Sequence, residues 1–597
     1  MAFLSPSNPP VELGEWSRRT HLERIKPAAQ DWAENGSGVP SAVYLLYIVK
    51  LVVFSAAGLA IIGASSGLGG LGSIGDWWTA PIVFQKLCVW LILWEIVGLG
   101  CGSMPLTFRF IPPIGGILYW LRPGTIRQPP WPDRVPLTAG SARTPIDVVL
   151  YAGVLASAIY LLLSGGSGSG IPNGAPTLEP VELAPATLPV AGILVLLGLL
   201  AALGLRDKVA FLAARPEVYA PLLIVFCFPS ETLIVGSQFV FLCVWLGAAS
   251  SKLNRHFPFV VSVMISNTPW NRSRRIKRDL YRGFPDDLRP GRNAALAAHL
   301  GTVIEFTLPL ILFFGPGGLI GTLAVIGMLV FHVHITSTFP LAVPLEWNLF
   351  MLFGIVFLFG EYGEVPLSTF DPLLLAVLLL TSVALPVLGN LMPDKVSFLP
   401  SMRYYAGNWA TSQWLFRREG DAEGRLDAAI TKPAAVVIDQ VTRLYGREMA
   451  EYLLYKGLAF RSMHHHGRAL NGLADRAADG DVDAYHVREG ELVCGVVNGW
   501  NFGDGHLHDH QLLAAVQERC GFAPGELRVV CLESQPVQVQ RQRYRILDAA
   551  TGLVEEGWVE VSDMVSRQPW LEPGEDFPVN VTATAAPAAP QRTPEPA

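Results

Sequence analysis

Residues 43–65 read VYLLYIVKLVVFSAAGLAIIGAS, an apolar run in which Lys50 is the one charged side chain. Roughly 20 helical residues cross a hydrocarbon core about 30 Å thick, so this run is long enough to span a bilayer. Comparable apolar segments lie at 84–102, 146–164, 184–204, 294–314, 318–338, 346–360 and 372–392. Of these, 346–360 is short and is expected to extend into 341–345. The pattern predicts a polytopic α-helical membrane protein with about eight spans.

Residues 217–250 form a longer apolar stretch, which Pro229, Ser230, Glu231 and Thr232 interrupt. A straight helix of this length would be about 50 Å long and would overshoot the bilayer. Proline also removes a helical hydrogen bond. We therefore expect a re-entrant or broken pair of helices hinged at Pro229, in addition to the other spans.

Loop charges predict the orientation, because cytoplasmic loops carry an excess of Lys and Arg. Basic residues concentrate in the N-terminal region and in the loops 103–145, 205–216 and 251–293, whereas 165–183 and 361–371 contain none. These basic segments share one side if 217–250 enters and leaves by the same face. We expect a cell (inner or cytoplasmic) membrane protein whose N- and C-termini are cytoplasmic. The net charge of −6 argues against a nucleic-acid partner.

The remaining chain resembles ordinary soluble sequence. Residues 401–418 mix aromatic side chains with Arg and suit a membrane-surface helix, while 427–475 places apolar residues at helical spacing. The runs ELVCGVV, LRVVCLE and VQVQRQRYRIL suggest strands, and YRILD-AATG-LVEEGWVEV predicts a β-hairpin. The expected organisation is a polar N-terminal segment (1–42), a transmembrane helical domain (43–395), a membrane-surface segment (396–418), a small cytoplasmic α+β domain (419–579) and a disordered tail (580–597).

Ionisable side chains inside apolar spans are costly and each needs a physical reason. For Lys50 and Glu95 the simple interpretation is snorkelling or pairing. Glu305 lies in the middle of AAHLGTVIEFTLPLILFF, where a carboxylate without a partner could not stay ionised. Lys252 and His332 are the candidate partners, and a desolvated lysine can also act as a base. Function and purely structural pairing both remain open.

Three ordered pieces carry a resemblance: WLGAASSKL (245–253), IEFTLPLILFF (304–314) and LVFHVHI (329–335). Over about 220–360 they resemble the vitamin K-dependent carboxylase superfamily, also called the horizontally transferred transmembrane domain, although Trp245 and Ala249 replace its usual tyrosine and glycine. The resemblance implies that Lys252 matches the lysine that deprotonates reduced quinone, and that Glu305 and His332 share its buried cluster. The full chain also resembles an uncharacterised family of multi-pass membrane proteins from actinobacteria, a domain of unknown function.

Histidines cluster in the C-terminal part, at His464–His466 and in NFGDGHLHDH (501–510). His506, His508 and His510 are candidate ligands of a metal site with nitrogen and oxygen donors. No HExxH spacing supports this site, and Asp509 followed by QLLAAVQ also suits a simple helix start.

Two classes of function fit these residues. The first is a membrane-embedded enzyme acting on a quinol, isoprenoid or acyl lipid, with Lys252 as catalytic base and Glu305 and His332 orienting groups or relaying protons. A quinone or bound lipid would then be its ligand. The alternative is a lipid or envelope carrier, or a membrane assembly factor, whose soluble tail docks a protein partner. A scaffold with purely structural buried ions is a third hypothesis.

Overall fold

The computed structural model describes residues 3–65, 68, 70–100, 115–165, 187–315, 317–338, 345–430, 437–500, 505–572 and 574–584. Within these ranges, six helical stretches are long and apolar enough to cross a membrane: Ser41–Ser65, Pro145–Leu163, Ser230–Ser250, Arg292–Phe314, Gly318–Ser337 and Pro372–Leu391. Residues 341–344, into which the segment 346–360 was predicted to extend, lie outside the described residues. So do the loop 103–114 and the end of the predicted tail, 585–597.

The first half of the chain is almost entirely helical. Its helices are α1 (Leu13–Ser17), α2 (His21–Asn35), α3 (Ser41–Ser65), α4 (Ile74–Trp77), α5 (Pro81–Val97), α6 (Gly115–Trp120), α7 (Pro145–Leu163), α8 (Val190–Arg206), α9 (Lys208–Ala213), α10 (Pro216–Val225), α11 (Leu233–Ser250), α12 (Phe257–Asn267) and α13 (Arg274–Arg278). Helix α5 ends earlier than the apolar segment 84–102, because Gly98 adopts a left-handed conformation (φ 96°) that terminates the helix.

The membrane half continues through a short hairpin and further helices. The hairpin is β1 (Tyr281–Gly283) with β2 (Asp287–Pro290), and the helices are α14 (Arg292–Phe314), α15 (Gly318–Ser337), α16 (Leu345–Gly354), α17 (Pro372–Leu378) and α18 (Leu385–Leu391). Helix α16 continues as a π-helix at Ile355–Glu361, and a π-helix at Leu379–Ala384 joins α17 to α18.

The predicted break in 217–250 is confirmed. Helix α10 ends at Val225, a 3₁₀ turn occupies Ser230–Thr232, and α11 begins at Leu233. Helices α10 and α11 then pack against each other. The Thr232 hydroxyl accepts a hydrogen bond from the backbone N–H of Asp371 (3.0 Å), which fixes the hinge beside the start of α17.

The C-terminal part is an α+β unit, as the sequence predicts. Its elements are β3 (Thr411–Arg417), α19 (Ala422–Ala429), α20 (Val437–Tyr445), α21 (Arg447–Met463), α22 (Gly467–Ala477), β4 (Tyr485–Glu489), α23 (Gly490–Asn498), α24 (His510–Cys520), β5 (Leu527–Leu532), β6 (Arg541–Asp548), β7 (Gly552–Glu560), α25 (Val561–Ser566) and β8 (Asn580–Thr584). The strands form one antiparallel sheet in the order β4-β3-β5-β6-β7-β8.

Three local predictions in this part are wrong and one is confirmed. The predicted β-hairpin forms as β6 and β7. The expected surface helix 401–418 instead contains β3, a buried strand between β4 and β5. ELVCGVV is helix α23, because the Glu489 side chain caps it by accepting from the N–H of Leu492. Residues 580–584, assigned to the disordered tail, pair with β7 as an edge strand.

The N-terminal segment packs on the C-terminal unit. Helix α2 lies along α21, where the Lys456 ammonium contacts the Asp31 carboxylate at 2.9 Å and the Tyr452 hydroxyl donates to the same carboxylate at 2.8 Å. Trp16 packs edge-on against Tyr452 and Tyr455. The two polar ends of the chain therefore build one layer against the helical half.

Candidate functional site

An aromatic cavity of about 230 Å³ lies where the helical half meets the chain entering β3. Helices α11, α12, α14, α15 and α16 form most of its wall, and the turn 404–409 closes it. The aromatic lining residues are Trp245, Phe257, Phe331, Trp347, Tyr404, Tyr405 and Trp409. Lys252, Glu305 and His332 line the same cavity, although they come from three different parts of the chain.

Lys252 and Glu305 form a buried ion pair inside this cavity. Their side chains are in direct contact, and the residues are only 7% and 4% exposed. The ammonium also lies 5.0 Å from the ring centre of Phe257 and 5.9 Å from that of Phe331. Aromatic faces stabilise a desolvated cation. The cation that the sequence requires beside Glu305 is therefore Lys252.

His332 is held by two hydrogen bonds that determine its protonation. The indole N–H of Trp245 donates to Nε2 at 2.9 Å, and Nδ1 lies 2.9 Å from the side-chain oxygen of Asn348. Because an indole nitrogen only donates, Nε2 must be the acceptor, and the ring proton sits on Nδ1 facing Asn348. His332 is thus a neutral, oriented imidazole and not a second cation for Glu305.

The cavity reaches the molecular surface between α12, α14 and α15. Gly301 and Val261 in its wall are half-buried, and His334 is exposed. The surrounding faces of α14 and α15 carry large exposed apolar side chains: Leu296, Leu300, Val303, Leu323, Ile326 and Val330. An apolar surface of this extent suits contact with hydrocarbon.

A second ionic cluster lies behind the cavity. The Lys50 ammonium contacts the Glu346 carboxylate at 2.7 Å, and the indole N–H of Trp94 donates to the same oxygen at 3.2 Å. Lys50 is therefore paired, one of the two interpretations that the sequence left open. Its partner Glu346 opens α16, two residues before Asn348.

Arg215, Glu217 and Tyr405 complete this cluster. Arg215 Nε donates to Glu217 Oε1 at 2.8 Å, and its Nη2 donates to the Tyr405 hydroxyl at 2.6 Å. The Tyr405 hydroxyl in turn donates to Glu217 Oε1 at 2.6 Å. The Tyr405 ring stacks on Trp347 with centres 5.0 Å apart, and both residues line the cavity. Tyr405 is thus the residue shared by the cluster and the cavity.

Sequence reasoning missed most of this second cluster. Arg215 was expected to be a loop charge that sets orientation, yet it is fully buried. Tyr405 lies in the segment expected on the membrane surface. One signal was present: Arg215-Pro216-Glu217 places opposite charges around a helix-starting proline.

Four buried histidines lie at the junction of the two halves, next to the cavity residue Trp409. The ring centres of His256, His465, His466 and His464 follow one another at 5.5, 5.2 and 5.5 Å, and that of His464 is 5.1 Å from Trp409. Burial, reinforced by Arg461, lowers the pKa of His464 to about 3. Burial also holds the pKa values of His465 and His466 well below 6.5. These imidazoles are neutral at ordinary pH.

The predicted tail ligands contact different partners. His506 Nε2 lies 2.7 Å from a Glu533 carboxylate oxygen, His508 Nδ1 contacts the Ser412 hydroxyl, and His510 is exposed beside Asp509. Among the residues that the structure describes, no group of three or more His, Cys, Asp or Glu is arranged to hold a metal ion. Asp509 caps α24 through the N–H of Gln511, as the helix-start interpretation predicts.

Comparisons with known proteins give a family but no activity. No curated protein and no solved structure matches the chain. The family described as "Transmembrane protein of unknown function (DUF3556)" matches residues 1–582, which covers both halves of the molecule. The match supports an uncharacterised membrane family and not the carboxylase superfamily. The chain therefore belongs to this family of transmembrane proteins of unknown function (DUF3556).

Proposed function

We propose that this protein is a membrane-embedded enzyme that binds a lipid-soluble substrate in the aromatic cavity and uses Lys252 as its base. One observation carries the proposal: a buried Lys–Glu pair and an oriented neutral histidine meet in one apolar cavity that reaches a hydrocarbon-like surface. Buried ionisable groups inside a membrane domain mark functional sites by default. A quinol, isoprenoid or acyl lipid fits such a cavity.

Lys252 acts as a base only when it is neutral, and Glu305 makes that state accessible. Transfer of the ammonium proton to the Glu305 carboxylate converts the ion pair into an amine and an acid, which avoids two buried charges. The amine then takes a proton from an acidic O–H or C–H of the substrate, and the resulting ammonium stabilises the substrate anion. His332 does not relay the proton, because both of its ring nitrogens are already engaged. Its ring instead forms part of the wall against which the substrate lies.

The resemblance to the vitamin K-dependent carboxylase superfamily supports the same role for Lys252. It reaches only the membrane core, so the proposal includes proton abstraction from a quinol-like molecule and leaves out carboxylation of glutamate. The basic loops further support an inner-membrane protein whose termini and C-terminal unit face the cytoplasm.

Occupancy of the cavity is the first test. Gly301 lines the cavity, and a Cβ there meets no atom within 4 Å, so Gly301→Phe places a ring in the cavity without displacing backbone. Gly321→Phe is the matched control, since Gly321 on α15 also has open space but does not line the cavity. Native mass spectrometry of protein in native-membrane nanodiscs should find a bound lipid-soluble molecule in wild type and Gly321→Phe only. Equal occupancy in Gly301→Phe would overturn the proposal.

Turnover is the second test. Lys252→Met should abolish conversion of the co-purified molecule while keeping it bound. Lys86→Met is the control, because Lys86 is equally buried but donates to the Ser65 hydroxyl (2.8 Å) and the Ser164 carbonyl (2.6 Å), away from the cavity. Untargeted lipidomics of membranes expressing each variant should show substrate accumulation with Lys252→Met alone. A bound molecule that no variant alters chemically would instead favour the carrier hypothesis.

A further inference from the structure

The ionic cluster behind the cavity contains more carboxyl groups than cations. The charged residues described above are Lys50, Arg215, Glu217 and Glu346. The carboxyl group of Glu95 on α5 is the fifth ionisable member, and each of the five residues is less than 9% exposed. The main charges that act on Glu95 are the other four members. Among the residues that the structure describes, two cations therefore face three carboxyl groups here, and all five side chains are buried.

A buried net negative charge is very costly, and a buried group neutralises instead by binding a proton. Glu217 has Arg215 at 2.8 Å, and Glu346 has Lys50 at 2.7 Å. Glu95 forms no ion pair with any described residue, and its Oε1 has no hydrogen-bond partner there. Charge balance therefore places one proton on Glu95.

A neighbouring network does not supply the compensating charge. Arg127 and Arg206 contact Asp147, and Arg143 contacts Asp207, around the ends of α7 and α8. Among the described residues, the hydrogen bonds and ion pairs of these guanidinium groups stay within this network and with oxygens of residues 119–144, and none of them reaches a member of the cluster behind the cavity. The surplus carboxyl group thus belongs to the cluster behind the cavity.

We infer that this cluster stores one exchangeable proton and that Tyr405 delivers it to a molecule bound in the cavity. The Tyr405 hydroxyl touches both Arg215 and Glu217, while its ring lines the cavity. Storage follows from the charge balance alone, whereas delivery rests on the function proposed above. A base, Lys252, and a proton donor, Tyr405, are then both among the lining residues of the cavity.

Delivery requires two successive proton transfers. The Tyr405 hydroxyl, which donates to Glu217 Oε1 in the resting cluster, first turns toward the ligand. Its O–H bond then breaks as a bond forms between that proton and a basic atom of the ligand. The Arg215 guanidinium, already 2.6 Å away, stabilises the tyrosinate. The stored carboxylic proton then moves through the cluster to the tyrosinate, and one proton from water later recharges the carboxylate. Neither oxidant nor reductant is needed.

Infrared difference spectroscopy tests the store without any ligand. Full-length protein in lipid nanodiscs at pH 7.5 should show the carbonyl stretch of a protonated carboxylic acid, shifted by D₂O. Glu489, whose pKa burial raises to about 7, gives a carboxylic band of its own at this pH, so Glu489→Gln serves as the background. On that background Glu95→Gln should remove the remaining band, while Glu95→Asp should keep it, displaced. Glu364→Gln, at an exposed position, should leave it unchanged. Absence of this band from Glu489→Gln protein in which Glu95 is intact overturns the inference. So does its persistence in Glu95→Gln.

Delivery has its own readout. Tyr405→Phe keeps the ring that lines the cavity but removes the hydroxyl, so the carboxylic band should remain and its hydrogen–deuterium exchange should slow at least tenfold. Unchanged exchange in a variant that unfolds at the wild-type temperature overturns the role of Tyr405. Because neither measurement needs bound ligand, an empty cavity would refute the proposed enzyme and leave the stored proton standing.

Discussion

The buried histidines predict that acid destabilises the protein well above the pH at which carboxylates titrate. His464, His465 and His466 are fully buried at the junction, and His21 is fully buried where α2 packs on α21. Burial lowers the pKa of His21 to about 3, with Arg24 contributing. Each ring is neutral in the folded chain, while an unfolded chain protonates histidine near pH 6.5.

The folded and unfolded chains bind different numbers of protons in acid. Below pH 6.5 the unfolded chain binds more protons than the folded chain, so stability is fully present above pH 6.5 and is lost as the pH falls toward the folded pKa. From pH 7.5 to 5.5, each imidazole costs about 1.4 kcal/mol, and the four of them about 5–6 kcal/mol.

Carboxyl groups that are protonated in the folded chain oppose this loss: Glu489 outside the membrane spans and, on the inference above, Glu95 within them. Burial raises the pKa of Glu489 to about 7, although Arg461 acts in the opposite direction. A carboxyl group with a raised pKa stabilises the folded chain at low pH, and this stabilisation disappears as the pH rises through 7. Glu489 therefore adds about 2 kcal/mol to the free energy of unfolding at pH 5.5 relative to pH 7.5. His256 and His486, whose pKa values burial also lowers to about 4, add about 2–3 kcal/mol of loss, which a protonated Glu95 offsets. The net loss is therefore about 3–4 kcal/mol, a large fraction of the about 5–15 kcal/mol typical of folded proteins.

Thermal unfolding at pH 7.5 and 5.5, followed by tryptophan fluorescence in nanodiscs, measures this loss. His466→Gln removes one titrating ring and should shrink the difference between the two pH values by about 1.4 kcal/mol. His510→Gln changes an exposed ring and should leave that difference unaltered. Equal stability at the two pH values, or the same acid sensitivity in His466→Gln as in wild type, would refute the reasoning.

Three further predictions use the same unfolding measurement. Glu305→Gln leaves the Lys252 ammonium buried without its anion and should cost about 3–5 kcal/mol, most of which the added change Lys252→Met should restore; full additivity would deny the contact. Asp31→Asn removes the partner of the buried Lys456 and should lower the free energy of unfolding by a similar amount. Proteolysis of the N-terminal segment should also be faster, and unchanged proteolysis would contradict the idea that this contact holds α2 on α21. Gly389→Ala directs a methyl group onto Ser401 and should cost about 1–3 kcal/mol, whereas Gly198→Ala, which meets open space, should cost little; equal effects would contradict the packing.

Features that depend on short-range pattern were predictable from the sequence. The apolar runs identify helices such as α3 and α14 within a few residues, and Pro229 identifies the break between α10 and α11. A proline and a span length are local quantities, so no tertiary information is needed. The constraint that a carboxylate buried in a span needs a cation predicted a partner for Glu305, with Lys252 and His332 as candidates, and the structure places Lys252 there.

Features that depend on distant partners were not predictable. Glu346 pairs with Lys50 across nearly 300 residues, and Arg215 bonds to Tyr405 across 190. Short apolar runs are equally ambiguous, since ELVCGVV suits a strand until Glu489 caps it as a helix. Strand β3 was mispredicted for a similar reason. Its aromatic and basic residues are typical of a membrane surface, but they lie in a strand that is paired on both sides, with β4 and β5.

The cavity belongs to both halves of the molecule, which limits how its function can be dissected. Its closing turn, 404–409, is anchored to the C-terminal unit by a reciprocal pair of bonds: Asn408 Nδ2 donates to the Gln535 carbonyl at 2.8 Å, and the Gln535 N–H donates to Asn408 Oδ1 at 2.9 Å. Deleting residues 417–597 would remove this anchor and expose Trp409. Loss of function on deletion would therefore follow for an enzyme as well as for a carrier. Point changes at Lys252, Gly301 and Tyr405 leave the anchor intact and so separate the hypotheses.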